Sequence, residues 1–188
     1  LGGSGIYEIG IGQGTEVKTH ALLGFVGGAD VMYQASDAVS LSAGLSFVQA
    51  GCKLEDYTDD HTVVYDRYLR INYVSMPILV HNKLLPGFTV KVGIEPTCVF
   101  NANNHEVYQL YSVDKDGKKT NFQEDTYDFD IKNGMRKIGL SIPIGVSYEY
   151  EIVVLGALYH VGVFNIYKEG HSSRSSVFEV SVGYKLNL

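Results

Sequence analysis

From Phe178 onward every second residue is large and apolar: Phe178, Val180, Val182, Tyr184, Leu186 and Leu188 alternate with Glu179, Ser181, Gly183, Lys185 and Asn187. A period of two puts the two sets on opposite faces of a β-strand. Alternation of this kind recurs along the chain, and an amphipathic helical period is hard to find anywhere. Such a chain is constrained to fold as sheet, and every strand in it needs partners on its edges.

Eight strands follow from the pattern. The first spans about Ile6 to Gly12, and the second about Lys18 to Tyr33, with Leu23, Phe25, Ala29, Val31 and Tyr33 opposite Gly24, Gly28 and Asp30. The third runs from Ala38 to Leu54, with a candidate bulge near Val48-Gln49 where its pattern breaks. The fourth covers Tyr65 to His81, Leu69, Ile71 and Tyr73 alternating with Arg70 and Asn72. Strand five is Phe88 to Asn101, strand six Ile138 to Tyr150, strand seven Ile152 to Tyr167, and strand eight the terminal stretch from Val177. Residues 102–137 are polar and charged, with a turn at Asp116-Gly117, and read as a long loop with room for a small hairpin. The expected organisation is one domain over 1–188.

Connections two-three, four-five and six-seven are tight, whereas the others are longer and polar. In an antiparallel up-and-down barrel this places all short turns at one end and all long loops at the other, as in outer-membrane barrels with even strand number. The expected fold is therefore all-β: an eight-stranded antiparallel up-and-down β-barrel, transmembrane and of outer-membrane type. No run approaches the roughly 18 apolar residues of a membrane helix. The net charge of −6, with no basic cluster, argues against nucleic acid as a partner.

Which face meets lipid is read from the polar set. Gly24, Gly28, Gly44, Gly93, Gly139, Gly145 and Gly183 suit a cramped interior. Tyr33, Tyr148, Tyr150 and Tyr184 fall near the short-turn end, and Tyr65, Tyr68 and Tyr167 near the long-loop end, as two interfacial girdles would. The apolar stripe then faces lipid. The charges alternating with it, Arg70, Lys91, Glu95, Glu149, Glu179 and Lys185, are expected to form a lumen network that neutralises itself in a narrow interior, with a gated or narrow polar pathway as the alternative.

The stretches Gly24-Phe-Val-Gly-Gly-Ala-Asp-Val-Met-Tyr33, Leu41-Ser-Ala-Gly-Leu-Ser-Phe47, Tyr68-Leu-Arg-Ile-Asn-Tyr-Val-Ser-Met-Pro-Ile-Leu79, Leu85-Pro-Gly-Phe-Thr-Val-Lys-Val-Gly93 and Val182-Gly-Tyr-Lys-Leu186, in this order, resemble the Bacteroidetes outer-membrane β-barrel family often called PorT-like. The resemblance implies export behind a removed signal peptide and residence in the cell outer membrane. It also implies partners among outer-membrane lipid and other envelope or secretion proteins. The terminal Leu188 departs from it, since many outer-membrane barrels end in an aromatic residue.

Catalytic chemistry is not indicated. The histidines, His20, His61, His81, His105, His160 and His171, lack metal-ligand spacing, and no cofactor is expected. The acidic loop Asp56, Asp59, Asp60, His61 lacks the Gly and distal Glu of a calcium loop. Gly10-Ile-Gly-Gln-Gly14 lacks the Lys and helix of a phosphate loop. Cys52 and Cys98 lie on strands separated by a third, about 9–10 Å apart, and are expected to be free thiols. The functional expectation is a small outer-membrane barrel, not an enzyme, with a structural or interaction role through its long loops. The alternative is a soluble lipocalin-like barrel with Phe88, Val92, Ile142 and Val180 lining an apolar ligand cavity.

Overall fold

Period-two alternation becomes eleven antiparallel strands in the computed structural model, which describes residues 3–11, 19–59, 61–113, 118–167 and 173–186. They are β1 (Gly3–Ile11), β2 (Thr19–Gln34), β3 (Val39–Leu54), β4 (Tyr57–Asp59), β5 (Thr62–Ser75), β6 (Ile78–Leu85), β7 (Phe88–Val113), β8 (Lys119–Asp130), β9 (Ile138–Tyr150), β10 (Val153–Gly162) and β11 (Ser173–Tyr184). Asp60, the Asp116-Gly117 turn, His171, Leu188 and most of the first and last long connections lie outside the described residues.

β5 and β6 are one stave of the barrel wall, interrupted at Met76-Pro77; β3 keeps an unbroken register past the gap, from Ser46↔Ser75 to Ala43↔Ile78. The interruption follows from Pro77, which has no N–H to give to a ladder. With β4 and β8 standing outside the wall, eight staves remain. β1 pairs with β2 on one edge and with β11 on the other, Gly3↔Ser181 through Ile11↔Ser173, so the sheet closes on itself and no wall edge is left open. The short turns 35–38, 86–87 and 151–152 share one end. At Pro86-Gly87, proline fixes the first turn residue and Gly87 takes φ +78°, the geometry of a type II turn.

The outer surface carries the apolar stripe. Val31, Leu45, Val92, Ile94, Ile144, Leu155 and Val180 are all exposed. From Tyr148 up to Ile138, ten residue steps of β9 at about 3.3 Å each and tilted near 40° rise about 25 Å, the height of a barrel's apolar band. This orientation removes the lipocalin-like alternative: Val92, Ile142 and Val180 point outward, where they line no cavity, and Phe88 sits half-buried at the short-turn end.

The stripe does not keep its sign along the whole barrel. In β3 the inward residues change from Ser42, Gly44 and Ser46 to Val48, Ala50 and Cys52. In β5 the inward set is Leu69, Ile71, Tyr73 and Ser75, so Arg70 and Asn72 face out. The expectation that Leu69, Ile71 and Tyr73 meet lipid while Arg70 points into the lumen is thereby reversed. Gln49 and Asn72 are cross-strand partners joined side chain to side chain at 3.2 Å, and Asn72 pairs onward with Asn101. This belt marks the upper edge of the apolar band. Above it the outside is water, so polar residues turn out and apolar ones turn in. The pattern change at Val48-Gln49 is this inversion and not a bulge in β3. The bulge lies on the partner strand, between Ala21 and Phe25 of β2.

Inside, the upper half is filled by two apolar clusters. Val26, Val48, Ala50 and Val177 form the lower one. Cys52, Leu69, Ile71, Ala102 and Met135 form the upper one, against which Tyr167 packs, so Tyr167 belongs to the core and not to a girdle. Tyr33, Tyr148, Tyr150 and Tyr184 are exposed near the short-turn end. Cys52 is buried in the interior and Cys98 faces out, and both are free.

Candidate functional site

Two regions concentrate polar side chains: the lower lumen and the sheet above the membrane.

In the lower lumen, Glu95 of β7 is the centre. Its Oε2 lies 2.6 Å from His160 Nδ1 and accepts from the Ser141 hydroxyl at 2.8 Å. On the other side of the imidazole, His160 Nε2 faces Glu179 Oε2 at 3.4 Å, close enough for electrostatic attraction but not aligned as a hydrogen bond. Ser42 and His81 form a second buried pair at 2.7 Å. Lys91 lies within electrostatic reach of Asp30, Glu149 and Glu179. Nearer the mouth, Lys185 Nζ contacts Glu149 at 2.9 and 3.1 Å.

Of the six residues read as a network, the barrel thus gathers Lys91, Glu95, Glu149, Glu179 and Lys185 on the inward face. Arg70 is separated from them, outside and above the polar belt, its guanidinium over the Tyr68 ring at 5.5 Å. The histidines complete what the charge pattern omitted. His160 was legible as the strongly polar residue within the apolar run Ile152–Phe164, on the face of Gly156 and Gly162. His81 gave no signal apart from its parity with Ser75. The lower lumen holds a serine, a carboxylate and a histidine, yet the carboxylate stands between the other two. His160 does not touch the Ser141 hydroxyl, so this set lacks the serine–histidine contact of a hydrolase triad.

The second region comes from the stretch read as a loop. β7 does not stop at Asn101; it continues to Val113 and turns back as β8, a long hairpin arm paired from Asn103↔Asp130 to Val113↔Lys119. Tyr68 and Thr62 of β5 pair with its base and middle, and β4 adds to β5. The result is a four-stranded sheet, in the order β4-β5-β7-β8, rising beyond the polar belt.

Its inner face is held by Glu106. This carboxylate accepts from the Tyr108 hydroxyl at 2.6 Å, from Asn104 Nδ2 at 3.0 Å and from Arg67 Nη2 at 3.0 Å. Burial by itself would raise the Glu106 pKa, but these donors outweigh it and hold the carboxyl below its ordinary value. The same bond to Glu106 pushes Tyr108 up to about 12. Arg67 also lies over the Tyr57 ring at 4.9 Å, and Tyr108, Tyr127 and Phe129 continue the aromatic surface, Tyr108 meeting Tyr127 edge-on at 5.3 Å. Between them is an open hollow of about 430 Å³.

A comparison with curated proteins finds no match. Among solved structures, Ail, the attachment invasion locus protein of Yersinia pestis, aligns at 10% identity and TM-score 0.48 over 97% of this chain and 93% of that one. A second structure of Ail, in complex with the heparin analogue sucrose octasulfate, aligns at 12% identity and TM-score 0.42 over 97% of both chains. The family model described as "Outer membrane protein beta-barrel domain" matches residues 13–168, most of the barrel and the whole of the arm. The wall is closed, of eight staves and apolar outside, and the chain belongs to the outer membrane protein beta-barrel domain family.

Proposed function

We propose that this small outer-membrane barrel is a non-catalytic interaction protein that works through the sheet β4-β5-β7-β8 on the extracellular side. The observation that carries the reading is the arm itself. A barrel needs only a turn between β7 and β9, yet Asn103–Val113 and Lys119–Asp130 pair as a hairpin with an aromatic inner face. Envelope or secretion proteins are the partners in this reading, as the PorT-like resemblance suggests, with export behind a signal peptide as the route. The lumen charges serve the wall: Lys91, Glu95, Glu149, Glu179 and Lys185 neutralise one another beneath two apolar clusters.

Excising residues 104–129 and joining Asn103 to Asp130 by a tight Asn-Gly turn tests this. The barrel is expected to keep its heat-modifiable gel mobility while envelope partners that cross-link to the intact protein are lost. Retention of every partner by the armless barrel would remove the arm from the function.

A further inference from the structure

The outer face of β3, β5 and β7 changes chemistry over a short height where it leaves the membrane. Going up β5, the outward residues are Val74, Asn72, Arg70 and Tyr68. At the bottom, the exposed rings of Phe47 and Phe100 reach towards each other from the strands on either side, centroids 5.7 Å apart. Asn72 belongs to the polar belt, and Arg70 follows one alternation higher. Two residues at about 3.3 Å each, tilted near 40°, rise about 5 Å. Arg70 therefore stands about 5 Å above the belt, and Phe47 a similar distance beneath it. The Arg70 guanidinium rests over Tyr68 at 5.5 Å. Tyr68 is stacked in turn on His105 at 4.6 Å, and His105 Nδ1 meets Asp128 at 2.6 Å, so three strands brace the platform. A ring face attracts the guanidinium charge but accepts none of its N–H groups, which point outward in the guanidinium plane. Arg70 Nε is buried with no hydrogen-bond acceptor among the described residues. The carboxylates of the surrounding rows are engaged elsewhere: Asp66 with Lys53 at 3.2 Å, Asp128 with His105, and Asp130 with the backbone N–H of Lys132 at 2.9 Å.

We propose that this face is a binding site for a phosphate-bearing lipid of the outer leaflet, its phosphate on Arg70 and its acyl chains against Phe47 and Phe100. A buried donor left without an acceptor is costly, and phosphate oxygens meet the guanidinium fork two at a time. Height selects a lipid over a free anion. The headgroup layer on each side of the hydrocarbon core is about 5–8 Å thick, so a lipid whose chains begin at the belt carries its phosphate level with Arg70. The two rings supply the apolar half of the same molecule, directly below. Lys53, the cross-strand partner of Tyr68, brings a second positive charge to the row above. Its pair with Asp66 is about half exposed on both sides and weak enough to be exchanged for a phosphate. The site lies on the barrel wall and does not depend on what the arm binds.

The test is native mass spectrometry of the full chain released from detergent micelles. It is titrated with lipid A bearing its phosphates, and separately with the same lipid after dephosphorylation. Saturable binding is expected, about tenfold tighter for the phosphorylated lipid. Arg70→Gln should weaken the phosphorylated lipid about tenfold and leave the dephosphorylated one unchanged, because both changes remove the same contact. Phe100→Ala should weaken both lipids to the same degree, while heat-modifiable gel mobility shows each variant folded. Equal binding of the two lipids, an unaltered Kd in Arg70→Gln, or full additivity of that substitution with dephosphorylation would each overturn the proposal. So would indifference of both lipids to Phe100→Ala. Displacement of the lipid by inorganic phosphate at comparable concentration would make the ligand a free anion, and would overturn it as well.

Discussion

At the scale of single residues, the lumen and the arm use the same device, a carboxylate held by several donors, in surroundings that make its loss unequal. Glu95 and His160 are 6% and 8% exposed, so neither can turn to water when the other is removed. His160→Leu leaves the buried Glu95 without its charged partner and is expected to cost about 3–5 kcal/mol, read as a shift in the urea midpoint of the folded gel band. Glu95→Leu together with His160→Leu should recover much of that loss, because no uncompensated charge remains between them. In the arm, the Glu106 carboxyl is depressed, so its contribution is complete above its ordinary value of 4.5 and fades as pH falls through the lower folded value. Tyr108 works in the opposite sense: its contribution holds below 10 and is lost as pH rises through about 12. Limited proteolysis of the arm should therefore accelerate below about pH 4 and again in strong alkali. Glu106→Gln should remove the acid limb.

At the scale of elements, what matters is where along a strand a face changes solvent. β9 stays within the apolar band for nearly its full length, and its outward residues Ile142, Ile144 and Val146 keep one character. β3 and β5 cross the belt at Gln49 and Asn72, and each reverses its faces there. An arginine scan makes the boundary measurable. Ile144→Arg, near mid-height, is expected to cost about 2–4 kcal/mol, whereas Asn72→Arg at the belt should cost no more than about 1 kcal/mol. Equal costs would mean that the belt is not the membrane's edge. The turn at Pro86-Gly87 is simpler: Gly87→Ala forces an L side chain into φ +78° and should cost about 1 kcal/mol on the same assay.

For the whole molecule, closure is the decisive event, and it depends on β1 meeting both β2 and β11. Deleting 3–11 opens two ladders at once and should abolish the heat-modifiable form, whereas excising the arm should leave it. The alternation of Phe178–Tyr184, the eight staves and the placing of short and long connections at opposite ends were legible in the residues, because lipid on one side and a narrow interior on the other impose a period of two on every strand. Lys91, Glu95, Glu149, Glu179 and Lys185 share parity opposite the apolar stripe, and the closed barrel turns that face inward. Arg70 was misplaced because parity says which residues share a face and not what solvent that face meets. Only the height of a residue in the closed barrel decides that. The arm was hidden for a related reason: its strands have water on both sides and mix Tyr127 and Phe129 with Asp125 and Asp128 without a dominant stripe. What the sequence determined by itself was the wall, since membrane and lumen write their contrast into every second residue. The polar belt, the His160–Glu95 contact and the hollow of the arm were decided by tertiary structure, because each depends on strand register, which brings together residues far apart in the chain.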